Sequence, residues 1–191
     1  MTSKPVLMIH EIKKEYLLAN INWKDYVLTF DDCLYSQYYY WLFFRSIVTT
    51  KILFIPCSLI LYDHRREQFD GEYIDFPTCE EALNKRFLEP RNYMSLSEIK
   101  RLIETTPDLI IGGHGFSHNR IDYLTNAQKM IEFQQDIKNM MEWFISYLNY
   151  VPIHYCYPFN YDNIPAKNTI LANNGIKYVY SKERIEVNTL L

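Results

Sequence analysis

Tyr26-Val27-Leu28-Thr29-Phe30-Asp31-Asp32-Cys33 is the stretch on which the fold of this chain turns. Its first five residues have the β-branched, aromatic and aliphatic build of a buried strand, and the run closes abruptly on two carboxylates. Working outward, Val6–Ile9 is a second such run, and Leu109–Ile111 a third that leads straight into Gly112, Gly113 and His114. Tyr35–Val48 is apolar on most faces and long enough for a helix, and Lys51–Leu61 reads as a strand. Ser95 and Glu98 form a capping-box spacing ahead of a helix over about Leu96–Thr105. Between them, Tyr62–Arg91 trades the apolar pattern for charge, Pro and Gly, which predicts loops and short helices in a lid or an insertion. Downstream, three- and four-residue apolar steps predict a long helix over Tyr123–Asn149. Val151–Tyr157 then reads as a strand, Pro165–Asn174 as a helix closed by Gly175, and Ile176–Ser181 and Arg184–Val187 as final strands. Such alternation points to an α/β fold, a parallel sheet or barrel with helices outside, whose site forms at the C-terminal ends of the strands.

Three strands carry polar residues to that edge. In a strand-like backbone the side chains of Asp31 and Asp32 point in opposite directions, so one can bind a metal while the other takes a proton from water. A helix N-cap or a solvated turn is the plain alternative. His114 and His118 stand four residues apart in His114-Gly115-Phe116-Ser117-His118, and a helical turn would put both imidazoles on one face, as in paired-histidine zinc sites. Two surface histidines at that spacing by chance are the competing explanation. Joined with Asp32 they make a two-histidine, one-carboxylate set with open positions for water and substrate; Zn²⁺ is the default metal, and Co²⁺, Ni²⁺, Mn²⁺ or Fe²⁺ suits the same donors.

Composition narrows the field. A length of 191 residues at 48% hydrophobic content fills a single core, so one domain over 1–191 is expected. A net charge of -3 excludes the broad basic field that draws proteins to nucleic acid. The four cysteines, Cys33, Cys57, Cys79 and Cys156, form no C-x-x-C pair and suggest neither a zinc ribbon nor a disulfide framework. Val6–Ile9 is too short for the apolar core of a secretory signal, and Ile52–Leu61 covers about half a membrane span and contains Pro56. No transmembrane segment is expected, and a cytoplasmic location is.

The chain resembles the polysaccharide deacetylases of the NodB-homology type, carbohydrate esterase family 4. The family's first motif, TFDDG, is matched by Thr29-Phe30-Asp31-Asp32-Cys33; its second, H-[ST]-x-x-H, by His114 to His118; its third, R-x-P-Y, by Cys156-Tyr157-Pro158-Phe159. Val6-Leu7-Met8-Ile9-His10 is similar to the LMYH opening strand of many members. The resemblance implies a distorted (β/α) barrel of about seven mostly parallel strands, with Asp31 as base and with Asp32, His114 and His118 holding one divalent metal ion. It implies removal of an N-acetyl or other acyl group from an amino sugar: a nucleotide sugar, a lipid-linked glycan precursor or an oligosaccharide. A backbone N–H among Tyr157, Pro158 and Phe159 would assist at the oxyanion, and His10 and His154 would face the cleft or serve structure. Departures are Cys33 for the usual Gly, Cys156 for the Arg that orients the base, and no histidine after Pro158 to act as general acid. Two alternatives follow: hydrolysis of another amide such as an N-formyl group, and a catalytically impaired glycan-binding relative.

Overall fold

The computed structural model describes residues 4–62, 65–119, 127–160 and 165–191. In chain order the elements are β1 (Val6–Ile9), α1 (Lys14–Leu18), β2 (Val27–Phe30), α2 (Tyr35–Tyr39), α3 (Trp41–Arg45), β3 (Lys51–Ile55), α4 (Cys79–Asn84), α5 (Leu96–Thr105), β4 (Leu109–Gly113), α6 (Ala127–Leu148), β5 (His154–Cys156), α7 (Pro165–Asn173), β6 (Tyr178–Tyr180) and β7 (Ile185–Glu186). The expected strand-and-helix alternation is present, with seven strands among the described residues. Contacts divide the chain into two compact units. One holds the described residues up to Leu53, Leu59–Ile110 and Arg184–Leu191; the other holds Phe54–Ser58 and Ile111–Glu183.

In the first unit β1 pairs in parallel with both β2 and β7, and β2 with β3, in the registers Ile9↔Phe30, Met8↔Glu186 and Phe30↔Leu53. Leu7, Ile9, Leu28, Phe30, Ile52 and Leu53 are buried, as strands covered on both faces require. Phe30 meets Trp41 and Phe44 edge-on at 5.0 and 5.2 Å. The helix expected over Tyr35–Val48 is two short ones, broken at Tyr40 (φ -91°, ψ 10°), which lets the Tyr39 and Tyr40 rings pack on Phe69 and Phe76. That packing anchors the loop around Phe69 and Phe76. Arg66 lies 3.6 Å over the Tyr35 ring and forks onto the fully buried Glu98, whose carboxylate also caps α5 at Ser95. The expected strand over Lys51–Leu61 stops at Ile55, because Pro56 has no N–H to continue the ladder.

In the second unit β4 pairs with β5 at Gly113↔Tyr155 and β5 with β6 at Tyr155↔Val179, all parallel. The apolar stripe of α6 buries Phe133, Ile137, Met140 and Phe144. The expected start of this helix at Tyr123 lies outside the described residues, and α7 ends as expected ahead of Gly175, which takes φ 86°. Gly113, the last residue of β4, is tight: a Cβ there would stand 2.2 Å from Sδ of the fully buried Met140. Gly113→Ala is therefore expected to cost about 1–3 kcal/mol through overpacking, read as a lowered urea midpoint.

Candidate functional site

The first unit presents two carboxylates with different surroundings. Asp31 is still on the ladder, its N–H donating to Ile9 O at 3.0 Å, whereas Asp32 and Cys33 turn left-handed at φ 74° and 53°. The turn, rather than strand pleating, sends the two side chains to separate partners, and it shows why a glycine suits the position of Cys33. Gln37, in the middle of α2, donates its side-chain amide to the carbonyls of Asp31 and His10 and ties the ends of β1 and β2 together.

Asp31 is buried against Arg184, the residue just before β7. The guanidinium meets Oδ1 at 2.8 Å and Oδ2 at 2.8 Å, and donates to Thr29 Oγ1 at 3.0 Å. Burying a carboxylate without such a partner costs several kcal/mol, and a forked pair also fixes its orientation. Asp31 thus has an arginine partner, and it comes from the C-terminal end of the chain rather than from the position of Cys156.

Asp32, also buried, receives the Cys79 thiol on Oδ2 at 2.9 Å, with His10 Nε2 at 3.9 Å from the same oxygen. Burial, and next the charge of Asp32, pushes the Cys79 thiol up, so it is the donor in this contact. Cys79 opens α4, and its own N–H donates to Glu11 Oε2 at 3.0 Å.

The second unit presents the histidines. His114 follows β4 and is buried, with its N–H on Ile55 O at 3.0 Å and its Nδ1 2.9 Å from Cys156 O. A ring nitrogen facing a carbonyl carries the proton, which leaves Nε2 with the lone pair. The rings of His114 and His118 lie 4.9 Å apart and both are buried. The expected helical turn is absent. Residues 114–118 form a loop with left-handed Gly115 (φ 76°) and His118 (φ 49°), pinned by Asp136 of α6, whose oxygens accept from Phe116 N at 2.8 Å and Ser117 N at 2.9 Å. Main-chain bonds from Cys57 and Ser58 to the carbonyls of Gly115 and Phe116 complete the clamp.

Of the third-motif residues, Tyr157 donates its N–H to Tyr180 O at 3.0 Å and its hydroxyl to Asn168 Oδ1 at 2.9 Å, its ring stacking on Phe133 at 6.3 Å. Pro158 has no N–H to offer. Phe159, at φ 62°, packs against His118 at 5.0 Å. His154 stacks on Tyr178 at 4.6 Å with Nδ1 3.0 Å from the Tyr180 hydroxyl.

Burial lowers the His154 pKa from its usual 6.5. The unfolded chain therefore binds the proton more readily, so the contribution to stability is complete above pH 6.5 and is lost as pH falls below it. Urea midpoints on either side of pH 6.5 are expected to drop on the acid side, by less in His154→Phe.

Arg184, Asp136, Cys79 and Gln37 had no motif or spacing to mark them. Among the described residues no helix is long and apolar enough to cross a membrane. No family model and no curated protein matches the sequence. Solved structures do match by fold. IcaB from Ammonifex degensii is 14% identical, covering 96% of this chain and 85% of its own at a TM-score of 0.64. The BpsB deacetylase domain from Bordetella bronchiseptica is 13% identical, covering 84% and 69% at 0.60. A polysaccharide deacetylase from Bacillus cereus is 12% identical, covering 96% and 64% at 0.61. With seven strands alternating with helices and agreement along nearly its whole length, the chain has the NodB-type fold of the polysaccharide deacetylases, the distorted (β/α) barrel of carbohydrate esterase family 4.

Proposed function

We propose that this chain, residues 1–191, is a single catalytic domain, a divalent-metal-dependent hydrolase that removes the N-acetyl group from an amino sugar or glycan precursor. Asp31 is the base, and Asp32, His114 and His118 are the ligands of one cation, Zn²⁺ by default. The fold, shared with proteins named as deacetylases, supports the reaction class. The observation that carries the reading is the Asp31–Arg184 pair. It gives the base the oriented cation that Cys156 does not provide.

The donor set fits a metal. His114 has one ring nitrogen committed to Cys156 O, the arrangement by which ligand histidines are commonly oriented. Two buried imidazoles and a carboxylate make a borderline set suited to Zn²⁺ and its first-row neighbours. When bound, such a cation supplies Lewis acidity toward a water molecule and the scissile carbonyl. Asp31, held by Arg184, takes the water proton, and Asp136 keeps the histidine loop in place; His10, partly exposed in the first unit, and Phe159, exposed beside His118 in the second, are the groups proposed to meet substrate. The N–H bond of Tyr157 to Tyr180 sets that residue to shaping the third-motif turn.

Acetate release is the test, screened over N-acetylated nucleotide sugars and chitooligosaccharides with and without added Zn²⁺ or Co²⁺. Release that requires the metal is expected. The absence of a histidine after Pro158 favours one competitor, the glycan-binding relative without turnover. Binding of acetylated sugars by metal-replete protein with no acetate released from any of them would establish it instead. Formate release from N-formylated substrates alone would move the reading to the other amide.

A further inference from the structure

The excursion between β3 and α5 places a thiol against a carboxylate that the proposed reaction needs. Cys79 Sγ and His10 Nε2 stand 2.9 and 3.9 Å from one oxygen, Asp32 Oδ2, and all three donor atoms lie within 4.8 Å of one another. All three belong to the first unit. From Zn–S and Zn–O bonds of about 2.3 and 2.1 Å, a tetrahedral cation sets its sulfur and oxygen donors about 3.6 Å apart. Changes of under about 1 Å in the Sγ–Oδ2 and Nε2–Oδ2 separations meet that geometry. The thiol is aimed by structure rather than by chance: the backbone N–H of Cys79 donates to Glu11, Glu11 pairs with Lys13 at 3.2 Å, and the helix that begins at Cys79 is fixed by a full capping box between Thr78 and Glu81. The neighbourhood is also acidic, since Glu11 and Asp32 flank the thiol. Of the four cysteines, Cys79 alone is partly exposed, which leaves an exchange route for an ion.

We propose that His10, Asp32 and Cys79 form a binding site for a thiophilic divalent cation of the Zn²⁺ or Cd²⁺ type, distinct from the histidine pair. The cation replaces the thiol proton, which leaves to solvent, so Cys79 binds as thiolate, Asp32 as carboxylate and His10 through Nε2. The site stands whether or not the proposed reaction does. If that reaction holds, a soft cation here draws Asp32 and His10 away from it, and excess Zn²⁺ or Cd²⁺ inhibits.

The test titrates full-length, metal-stripped protein with Cd²⁺ and follows the ultraviolet thiolate-to-cadmium absorption, so acetate release plays no part in the readout. One thiolate-bound Cd²⁺ is expected in the native chain and in His114→Ala/His118→Ala, and none in Cys79→Ser. His10→Ala should weaken the affinity at least as much as loss of an outer partner does, roughly tenfold or more. The proposal is overturned by no thiolate absorption in the native chain, by its persistence in Cys79→Ser, or by its loss in the folded double-histidine variant. Should that variant fail to fold, the His10→Ala titration decides, and unchanged affinity there overturns the site.

Discussion

Arg184→Met is expected to lose about 3–5 kcal/mol of stability, because it leaves the Asp31 carboxylate buried without its partner. Few single changes in this chain should cost more. Asp31 and Arg184 are both nearly inaccessible, and the guanidinium contacts both carboxylate oxygens at 2.8 Å. Removing the guanidinium therefore takes both of these contacts from a carboxylate that stays buried. A double variant, Arg184→Met with Asp31→Asn, should recover part of the loss, since no uncompensated charge remains; denaturant midpoints of the four proteins give the coupling directly. Arg184→Lys keeps the charge and gives up the fork, so it should fall between native and Met in stability. In acetate release, Arg184→Met is expected to fall roughly tenfold to a hundredfold, the usual range for a residue that orients a reacting group. A variant equal to the native protein in both measurements would show that the pair orients nothing.

Asp31→Asn carries the second large effect. An asparagine is nearly isosteric and can keep one hydrogen bond to Arg184, so folding should survive better than with Met at position 184. It cannot take a proton. General-base catalysis contributes roughly 10²- to 10⁴-fold, and a loss of that order in acetate turnover is expected, with little change in substrate affinity if the group acts on water rather than on the sugar. A loss of affinity at constant turnover would instead make Asp31 a binding residue.

Much of the fold was legible because parallel strands buried on both faces announce themselves as short apolar runs. Val27–Phe30 and Val6–Ile9 are strands as expected, and the capping box at Ser95 places α5 at Leu96–Thr105 as read. Periodicity failed where packing overrode it. The break at Tyr40 depends on aromatic partners more than twenty residues away in an excursion whose own sequence is polar. The residues of the proposed site carry motif signals, but their geometry was less legible. Asp31 and Asp32 diverge through a left-handed turn that a pleated-strand argument does not supply, and the two histidines meet on a loop pinned by Asp136 rather than on a helix. Arg184 was beyond reach. It lies 153 positions from Asp31, and only the parallel pairing of β7 with β1 brings it there.

A bound metal and a separate base are distinguished by one paired measurement. Metal content and acetate release are determined on the same samples of native and Asp31→Asn protein, using the N-acetylated sugar that gives the fastest release. Expected are one equivalent of metal in both proteins, acetate from the native protein that disappears on chelation and returns with Zn²⁺ or Co²⁺, and little from the variant. Undiminished release by Asp31→Asn, or native release that survives complete removal of the metal, would contradict that expectation.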